Sequence, residues 1–308
     1  MHIPDNYLSP ATCAALGAAM VPVWAVAVRK VKKEITKLKM PLLGIGSAFS
    51  FLIMMFNIPL PGGTTGHAVG AVLLAILVGP FSACISVSVA LLIQALLFGD
   101  GGVLSFGANA FNMAFLMPFA GYFIYKFIKD RVSSTRGELV GMAVGAYVGI
   151  NLAALMTAIE FGIQPLLFHN ASGQALYCPY PLSVSVPAMM IPHLLIVGLI
   201  EAVFTVAVFG FIKRVSPGTI HEGAKQKTKA IYGLIFVLVC LTPVGLLATG
   251  TAWGEWDLGK SGGLNFKAIL PDYALNGLPE VAGYILSAVA GVAILIIIFK
   301  ILGKFKRE

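Results

Sequence analysis

Charged residues are scarce in this sequence. Asp, Glu, Lys and Arg together make up 11% of the 308 residues, whereas hydrophobic residues make up 58%. Soluble globular proteins carry about 25% charged residues, so the composition excludes an ordinary soluble domain. A mean hydropathy of +0.90 is instead typical of a chain that crosses a membrane many times. The length leaves room for about eight to ten spans of about 20 residues each.

Cysteine is also rare, and its spacing does not suggest a cysteine-based metal site. The cysteines lie far apart in the chain, at Cys13, Cys84, Cys178 and Cys240. No two of them have the spacing of paired metal ligands, and three lie in apolar runs, where cysteine behaves as a small core residue. Cys178 lies in a predicted extracytoplasmic loop without an obvious partner. We therefore predict no structural disulfide.

Three further features are missing from the sequence. Residues 1–10 lack the basic region that begins a cleavable signal peptide, so we expect none. No internal repeat is visible, which weakens the interpretation as a secondary transporter built from inverted repeats. We find no nucleophile paired with a base and no cofactor motif. We therefore expect neither enzymatic activity nor a resident cofactor.

Positive charge, in contrast, is concentrated. All Lys and Arg residues except Lys260 and Lys267 fall in four clusters, at 29–39, 126–136, 213–229 and 300–307. This clustering is the positive-inside pattern of cytoplasmic segments. The net charge of +8 is thus explained by membrane topology, and we expect a lipid bilayer rather than nucleic acid as the partner of the basic residues.

Nine apolar segments fit this charge pattern, with the amino terminus extracytoplasmic and the carboxyl terminus cytoplasmic. They are predicted at about 11–28, 40–56, 68–79, 81–98, 108–127, 137–160, 181–212, 230–248 and 281–301. The third segment is short, as expected if the chain dips into the membrane before its helix begins. The seventh is long, and we expect its proline-containing start to be irregular. The predicted fold class is an all-α polytopic membrane protein.

The polar, basic stretch 213–229 is the one credible domain boundary. It separates a membrane core of about seven helices, residues 1–212, from a part with two spans, residues 230–308, and we expect it to be a cytoplasmic linker. Within the core, glycine recurs at every fourth residue of the sixth predicted span, at Gly137, Gly141, Gly145 and Gly149. Such a ladder of small residues lets a neighbouring helix approach closely, so we interpret it as packing.

Residues 254–261 match the P-loop pattern G-x-x-x-x-G-K-[ST]. A real P-loop follows a buried strand and opens a helix in an aqueous domain. This segment lies in a predicted extracytoplasmic loop, where ATP is absent, so we reject the match. The chain is then expected to carry no ATP-driven motor of its own.

The amino terminus offers several nitrogen ligands within two residues. The α-amine of Met1, the backbone nitrogen of His2 and its imidazole can all turn toward one metal ion. Nitrogen ligands in a plane suit Ni(II) or Cu(II), although Met-His alone is more often simply the start of a chain. His67 follows the proline- and glycine-rich stretch 57–66 on the same predicted side. It is either a fourth nitrogen ligand or a hydrogen-bonded loop histidine.

Four polar residues in the predicted spans have open roles. Asn109 and Asn112 lie one turn apart. They either form hydrogen bonds between helices or orient a metal-binding histidine by a hydrogen bond, without binding the metal themselves. His193 and Glu201 are ionisable groups inside a span, which makes them functional candidates. About 12 Å along a helix separates them, too far for one metal site. We favour helix–helix bonding or coupling to a partner for this pair.

The first ten residues resemble the amino terminus of the NikM and CbiM substrate-specific components of energy-coupling-factor transporters. Stretches 56–67 and 107–113, together with Pro192-His193 and Glu201-Ala202, are similar to further motifs of that family, so the resemblance covers about residues 1–212. The remainder resembles the small two-span N component, or its PDGLE-type relative, fused to the core. Two positions differ: Tyr273 follows Pro271-Asp272 where glycine is usual, and Asn6 also replaces a common glycine.

The resemblance implies a membrane subunit that binds Ni(II), or Co(II), through Met1, His2 and His67. It also implies a transmembrane coupling (T) component and ATP-binding-cassette ATPases as partners, in a bacterial or archaeal cell (inner) membrane. A planar set of nitrogens favours nickel over cobalt. The alternative from another class is a self-sufficient, ion-coupled secondary metal transporter that uses His193 and Glu201.

Overall fold

The computed structural model describes residues 1–35, 40–60, 64–132, 134–219, 228–248 and 266–304. Within these ranges the main helices are α1 (Pro10–Glu34), α2 (Met40–Met54), α3 (Ala71–Val78), α4 (Pro80–Phe98), α5 (Phe106–Arg131), α6 (Thr135–Leu167), α7 (Leu182–Val215), α8 (Lys229–Leu247) and α9 (Glu280–Lys304). A two-stranded antiparallel ribbon, β1 (Ile58–Leu60) and β2 (Thr64–Gly66), connects α2 to α3. The P-loop-like segment 254–261 and residues 220–227 of the predicted linker lie outside the described residues.

Seven of these helices are long and apolar enough to cross a membrane, which confirms the all-α polytopic class. The helix α2 has 15 residues and α3 has eight. At about 1.5 Å per residue, α3 covers much less than the roughly 30 Å of a hydrocarbon core. The crossing predicted at 68–79 is therefore not a full-length helix. Buried irregular residues precede α3, and backbone of this kind is tolerated at membrane depth only inside protein.

The seventh predicted span is regular at its start, so the expectation of an irregular beginning was wrong. Helix α7 contains both Pro187 and Pro192 without breaking. Directly after Pro192 the helix widens into a π-turn at His193–Val197. Such a turn accommodates the hydrogen bond that a proline cannot donate. Similar π-turns occur at Gln94–Phe98, which ends α4, and at Ala110–Leu116 in α5.

The glycine ladder of α6 packs directly against α5. A Cβ atom added at Gly121 would lie 2.7 Å from the carbonyl oxygen of Gly145, and one added at Gly145 would overlap the carbonyl oxygen of Gly121. Neither position can accept a side chain, so the two backbones are in contact. The interpretation of the ladder as packing is confirmed.

The carboxyl-terminal helices lie against the core. A Cβ atom added at Gly44 in α2 would lie 3.0 Å from the Cβ atom of Phe299 in α9. Tyr284 in α9 donates a hydrogen bond to the carbonyl oxygen of Met55 at 2.8 Å. All four cysteines are described and unpaired, as predicted. Core and tail therefore share one packed helical bundle, and they meet near the amino terminus.

Candidate metal centre

The amino terminus folds into the protein. Met1, His2 and Ile3 are 4%, 3% and 0% exposed. Asn109 holds the backbone of Ile3 from both sides: its Oδ1 accepts from the Ile3 N–H at 2.8 Å, and its Nδ2 donates to the Ile3 carbonyl at 3.0 Å. Ser105 Oγ donates to the same carbonyl at 2.5 Å. The residue after His2 is thus fixed, and with it the direction in which His2 points.

Asp5 attaches the next part of the amino-terminal loop to the start of α5. Its carboxylate oxygens accept hydrogen bonds from the backbone N–H groups of Val103 at 3.0 Å and Leu104 at 2.8 Å. These N–H groups lie just ahead of α5, where a carboxylate satisfies donors that the helix leaves unpaired. Asn6 then adopts a left-handed conformation with φ of 73°, and the chain turns into α1. Residues 1–9 therefore form an ordered loop on α5.

The two histidines of the predicted site face each other. His67 Nε2 lies 3.2 Å from His2 Nδ1, and the ring centroids are 4.9 Å apart. His67 Nδ1 donates to the carbonyl oxygen of Ala68 at 3.0 Å, which leaves Nε2 with its lone pair directed at His2. Two nitrogens each about 2.0–2.1 Å from one ion, at a right angle, lie about 2.9 Å apart. The observed separation is thus close to that of neighbouring ligands in a planar site.

A carboxylate that the sequence did not identify completes this group. Asp100 Oδ1 lies 2.9 Å from His2 Nδ1. Its other oxygen, Oδ2, accepts hydrogen bonds from Tyr273 OH at 2.5 Å and from Gln94 Nε2 at 3.0 Å. The glycine-rich stretch 99–102 has the composition of a turn, and it carries this carboxylate to His2.

The pKa values of His67 and Asp100 are both held below their usual ranges. Burial, followed by the charges of the terminal amine and of His2, holds the pKa of His67 well below its usual range, so this imidazole is neutral at physiological pH. Burial alone would raise the pKa of Asp100, but the charge and hydrogen bond of His2 outweigh it and hold that pKa below its usual range. A neutral nitrogen and an ionised carboxylate therefore lie side by side.

These three side chains line a cavity of about 550 Å³. The opposite wall belongs to the tail and consists of Gly245, Leu246, Ala248, Asp272, Tyr273, Glu280 and Tyr284. Among the described residues, no three His, Cys, Asp or Glu side chains form a metal-holding group.

The two asparagines have different surroundings. Asn109 holds the residue next to His2, as described above, whereas Asn112 reaches across to α6. Asn112 Nδ2 donates to Glu160 Oε2 at 2.8 Å and to Thr157 Oγ1 at 3.1 Å. The structure thus places Asn109 beside the amino-terminal loop and directs Asn112 into a contact between helices.

Glu201 supports the segment that carries His67. Its Oε2 accepts from the backbone N–H of Val69 at 2.8 Å, and its Oε1 accepts from that of Gly70 at 3.0 Å. These residues lie between His67 and α3, so the carboxylate bonds between elements. His193 Nδ1 donates within its own helix, to the carbonyl oxygen of Met189 at 2.7 Å. Glu201 thus joins α7 to the irregular segment ahead of α3, and the bond of His193 lies within α7, so neither of these is a bond between two helices.

Replacing Glu201 with alanine is expected to destabilise the protein. The substitution leaves two buried N–H groups without an acceptor, at about 1–3 kcal/mol each. The melting temperature of the purified protein in detergent should fall clearly. Thr205→Val is the matched control, because Thr205 lies one turn further along α7 and its buried hydroxyl has no hydrogen-bond partner among the described residues. Equal melting of the two variants would contradict this role for Glu201.

Membrane-spanning helices around a cavity lined by nitrogens and a carboxylate define the class: a polytopic membrane protein with an internal site suited to a cation. Comparison with known proteins then identifies the family. The chain belongs to the family described as the cobalt uptake substrate-specific transmembrane region, whose model matches residues 2–219. A PDGLE domain matches residues 227–308.

Individual relatives cover nearly the whole chain. The "Probable fused nickel transport protein LarMN" of Lactiplantibacillus plantarum is 50% identical, over 97% of this chain and 97% of the relative. The "Fused nickel transport protein NikMN" of Rhodobacter capsulatus is 42% identical, over 96% and 95%. A crystal structure of a truncated transition metal transporter is 57% identical and superposes with a TM-score of 0.66, covering 70% of this chain and 99% of that one.

Proposed function

We propose that this chain is the metal-binding membrane subunit of an ATP-driven transition-metal importer. It captures Ni(II), or Co(II), through the α-amine of Met1, the backbone nitrogen and imidazole of His2, and the imidazole of His67. The observation that carries the proposal is the buried pair of imidazole nitrogens 3.2 Å apart. The two fused relatives, both named as nickel transport proteins, support it.

The site chemistry favours nickel within this proposal. The proposed ligands are all nitrogens, and four nitrogens in a plane are a preferred arrangement for Ni(II). Ligands must lose protons before they bind, so the affinity rises with pH until the amine and imidazoles are deprotonated. Cobalt, named in the description of the family model, is the alternative cargo.

The distribution of charge along the helices supports an extracytoplasmic site. The helix α1 begins next to the amino-terminal loop and has Lys32 and Lys33 in its last turn. The helix α5 also begins at this loop, and it has Lys129 and Arg131 in its last turn. Positive ends of this kind lie in the cytoplasm. In a bacterial or archaeal cell membrane the opposite end then faces the incoming ion.

The chain has three parts in this proposed organisation. Residues 1–212 form the metal-binding core, 213–229 a cytoplasmic linker, and 230–308 the two-span PDGLE-like part. A transmembrane coupling component and ATP-binding-cassette ATPases are the proposed partners, and they supply the energy. The contacts of Glu201 support this reading over a self-sufficient transporter, because both of its oxygens are bonded to backbone N–H groups.

Reconstitution into vesicles tests the energy source. Vesicles that contain the chain, the coupling component and the ATPases should accumulate radioactive nickel when ATP is added. Vesicles that contain the chain alone should bind nickel without accumulating it, and a non-hydrolysable ATP analogue should give the same result with the full set. Accumulation by the chain alone, driven by an ion gradient, would instead establish the secondary transporter that uses His193 and Glu201.

A further inference from the structure

The tail reaches into the metal centre through one side chain. Tyr273, which lies between α8 and α9, donates from its hydroxyl to Asp100 Oδ2 at 2.5 Å. Gln94 Nε2 in α4 lies 3.0 Å from both Asp100 Oδ2 and Tyr273 OH. Since Asp100 Oδ1 is 2.9 Å from His2 Nδ1, polar contacts run without a break from the tail to the first proposed imidazole ligand.

Tyr273 is held firmly in this position. Its ring stacks on Phe98, with ring centroids 4.6 Å apart and an interplanar angle of 22°. Its carbonyl oxygen accepts a hydrogen bond from Ser287 Oγ at 2.8 Å, and its side chain is buried. The backbone has φ of 59°, a left-handed conformation that is rare for a bulky residue and persists only where the surroundings enforce it. Backbone, ring and hydroxyl are therefore all fixed by contacts.

A divalent ion in this cavity needs negative charge nearby. The imidazole and amine ligands are neutral, and the deprotonated amide of His2 supplies one negative charge. One positive charge of a divalent ion then remains without compensation in a buried site, which is strongly disfavoured. Asp100 is the carboxylate that contacts His2 among the described residues. Its two oxygens have different partners: Oδ2 accepts from Tyr273 and Gln94, and Oδ1 lies against His2.

We propose that Tyr273 is a positioning residue of the metal centre, which orients Asp100 so that its carboxylate faces the bound ion and balances its charge. The PDGLE-like tail then takes part in metal binding through a defined hydrogen bond, in addition to packing against the core. This inference rests on the proposed function, because it assumes that the ion binds beside His2 and His67.

The test is calorimetric titration of Ni(II) into the purified full-length protein. Asp100→Asn should weaken binding by about 10–100-fold, the range seen when a partner of a metal ligand is lost. Tyr273→Phe keeps the ring and its stacking but removes the hydroxyl, and it should weaken binding by about 10-fold, at the lower end of that range. Tyr147→Phe is the matched control, because its hydroxyl donates to the carbonyl oxygen of Leu194 and the residue does not line the cavity; its affinity should equal that of the wild type.

A double-variant cycle separates positioning from a general structural effect. If Tyr273 acts through Asp100, Tyr273→Phe should have no further effect in the Asp100→Asn background. An equal loss in both backgrounds, or wild-type affinity for Tyr273→Phe alone, would overturn the inference. Titration of His2→Ala in the same series separates failure of the proposed function from failure of the Tyr273 inference. If His2→Ala keeps its nickel affinity, the proposed function fails. If only the Tyr273→Phe result differs from expectation, the proposed function stands and the role of Tyr273 is excluded.

Discussion

His2→Ala is expected to remove high-affinity nickel binding from the purified protein. The substitution deletes an imidazole that lies 3.2 Å from His67 Nε2 and 2.9 Å from Asp100. Loss of an outer partner of a metal ligand costs about 10–100-fold in affinity, and the loss of a ligand should exceed that range. Because His2 is 3% exposed, no other side chain can readily replace it. Calorimetric titration, together with metal analysis of the protein as purified, measures the effect.

His169→Ala is the matched control for this experiment. His169 is exposed and lies in the loop between α6 and α7. The chemical change is the same, so an effect that follows from the loss of any histidine would appear in both variants. We expect the control to bind nickel like the wild type. Wild-type affinity in His2→Ala would exclude the amino-terminal chelate.

Gly102→Ala is expected to disturb the amino-terminal loop and nickel binding together. A Cβ atom at this position would overlap both the backbone nitrogen and the carboxylate of Asp5. Gly102 also donates from its N–H to the carbonyl oxygen of Ile3 at 2.9 Å, so it cannot move away without releasing the residue next to His2. Overpacking of this kind costs about 1–3 kcal/mol. The melting temperature in detergent should fall, and titration should show at least about a 10-fold loss of affinity.

Gly210→Ala provides the comparison. Gly210 lies in α7, and a Cβ atom added there would meet nothing within 4 Å. Alanine also has a higher helix propensity than glycine, so this variant should melt at the wild-type temperature or slightly above it. Nickel affinity should not change. If Gly102→Ala behaves in the same way, the loop does not control the site.

The sequence predicts the long helices well because each of them consists of a long apolar run bounded by basic or turn residues, whereas α3 is shorter than the segment predicted at 68–79. It also offers His67 either as a ligand beside His2 or as a hydrogen-bonded loop histidine. The proline- and glycine-rich stretch 57–66 ends the preceding helix and places His67 on the same side as the amino terminus. Asp100 was not predicted as a site residue, because an aspartate among glycines is typical of a turn. Nothing local distinguishes a turn aspartate from one whose carboxylate faces a buried imidazole.

Long-range contacts explain most of what could not be predicted. Tyr273 is 173 residues from Asp100 in the chain, and no periodicity or motif encodes that pairing. Glu201 was recognisable as an ionisable group in a span. The hydrogen bonds that its carboxylate accepts from the backbone N–H groups of Val69 and Gly70, however, depend on how α7 packs beside α3. Asn6 is understandable only with the backbone in view: its φ of 73° is a conformation that glycine and asparagine adopt more readily than other residues.

The cavity is closed on one side by the tail, and this has a consequence for how the protein is made. Two segments on one polypeptide meet at an effective concentration of about millimolar when a short flexible linker joins them. A separate two-helix chain would have to find the core at its ordinary abundance in the membrane. Because core and tail are synthesised as one chain, every copy of the core has a tail to form the other side of its cavity, at any level of expression.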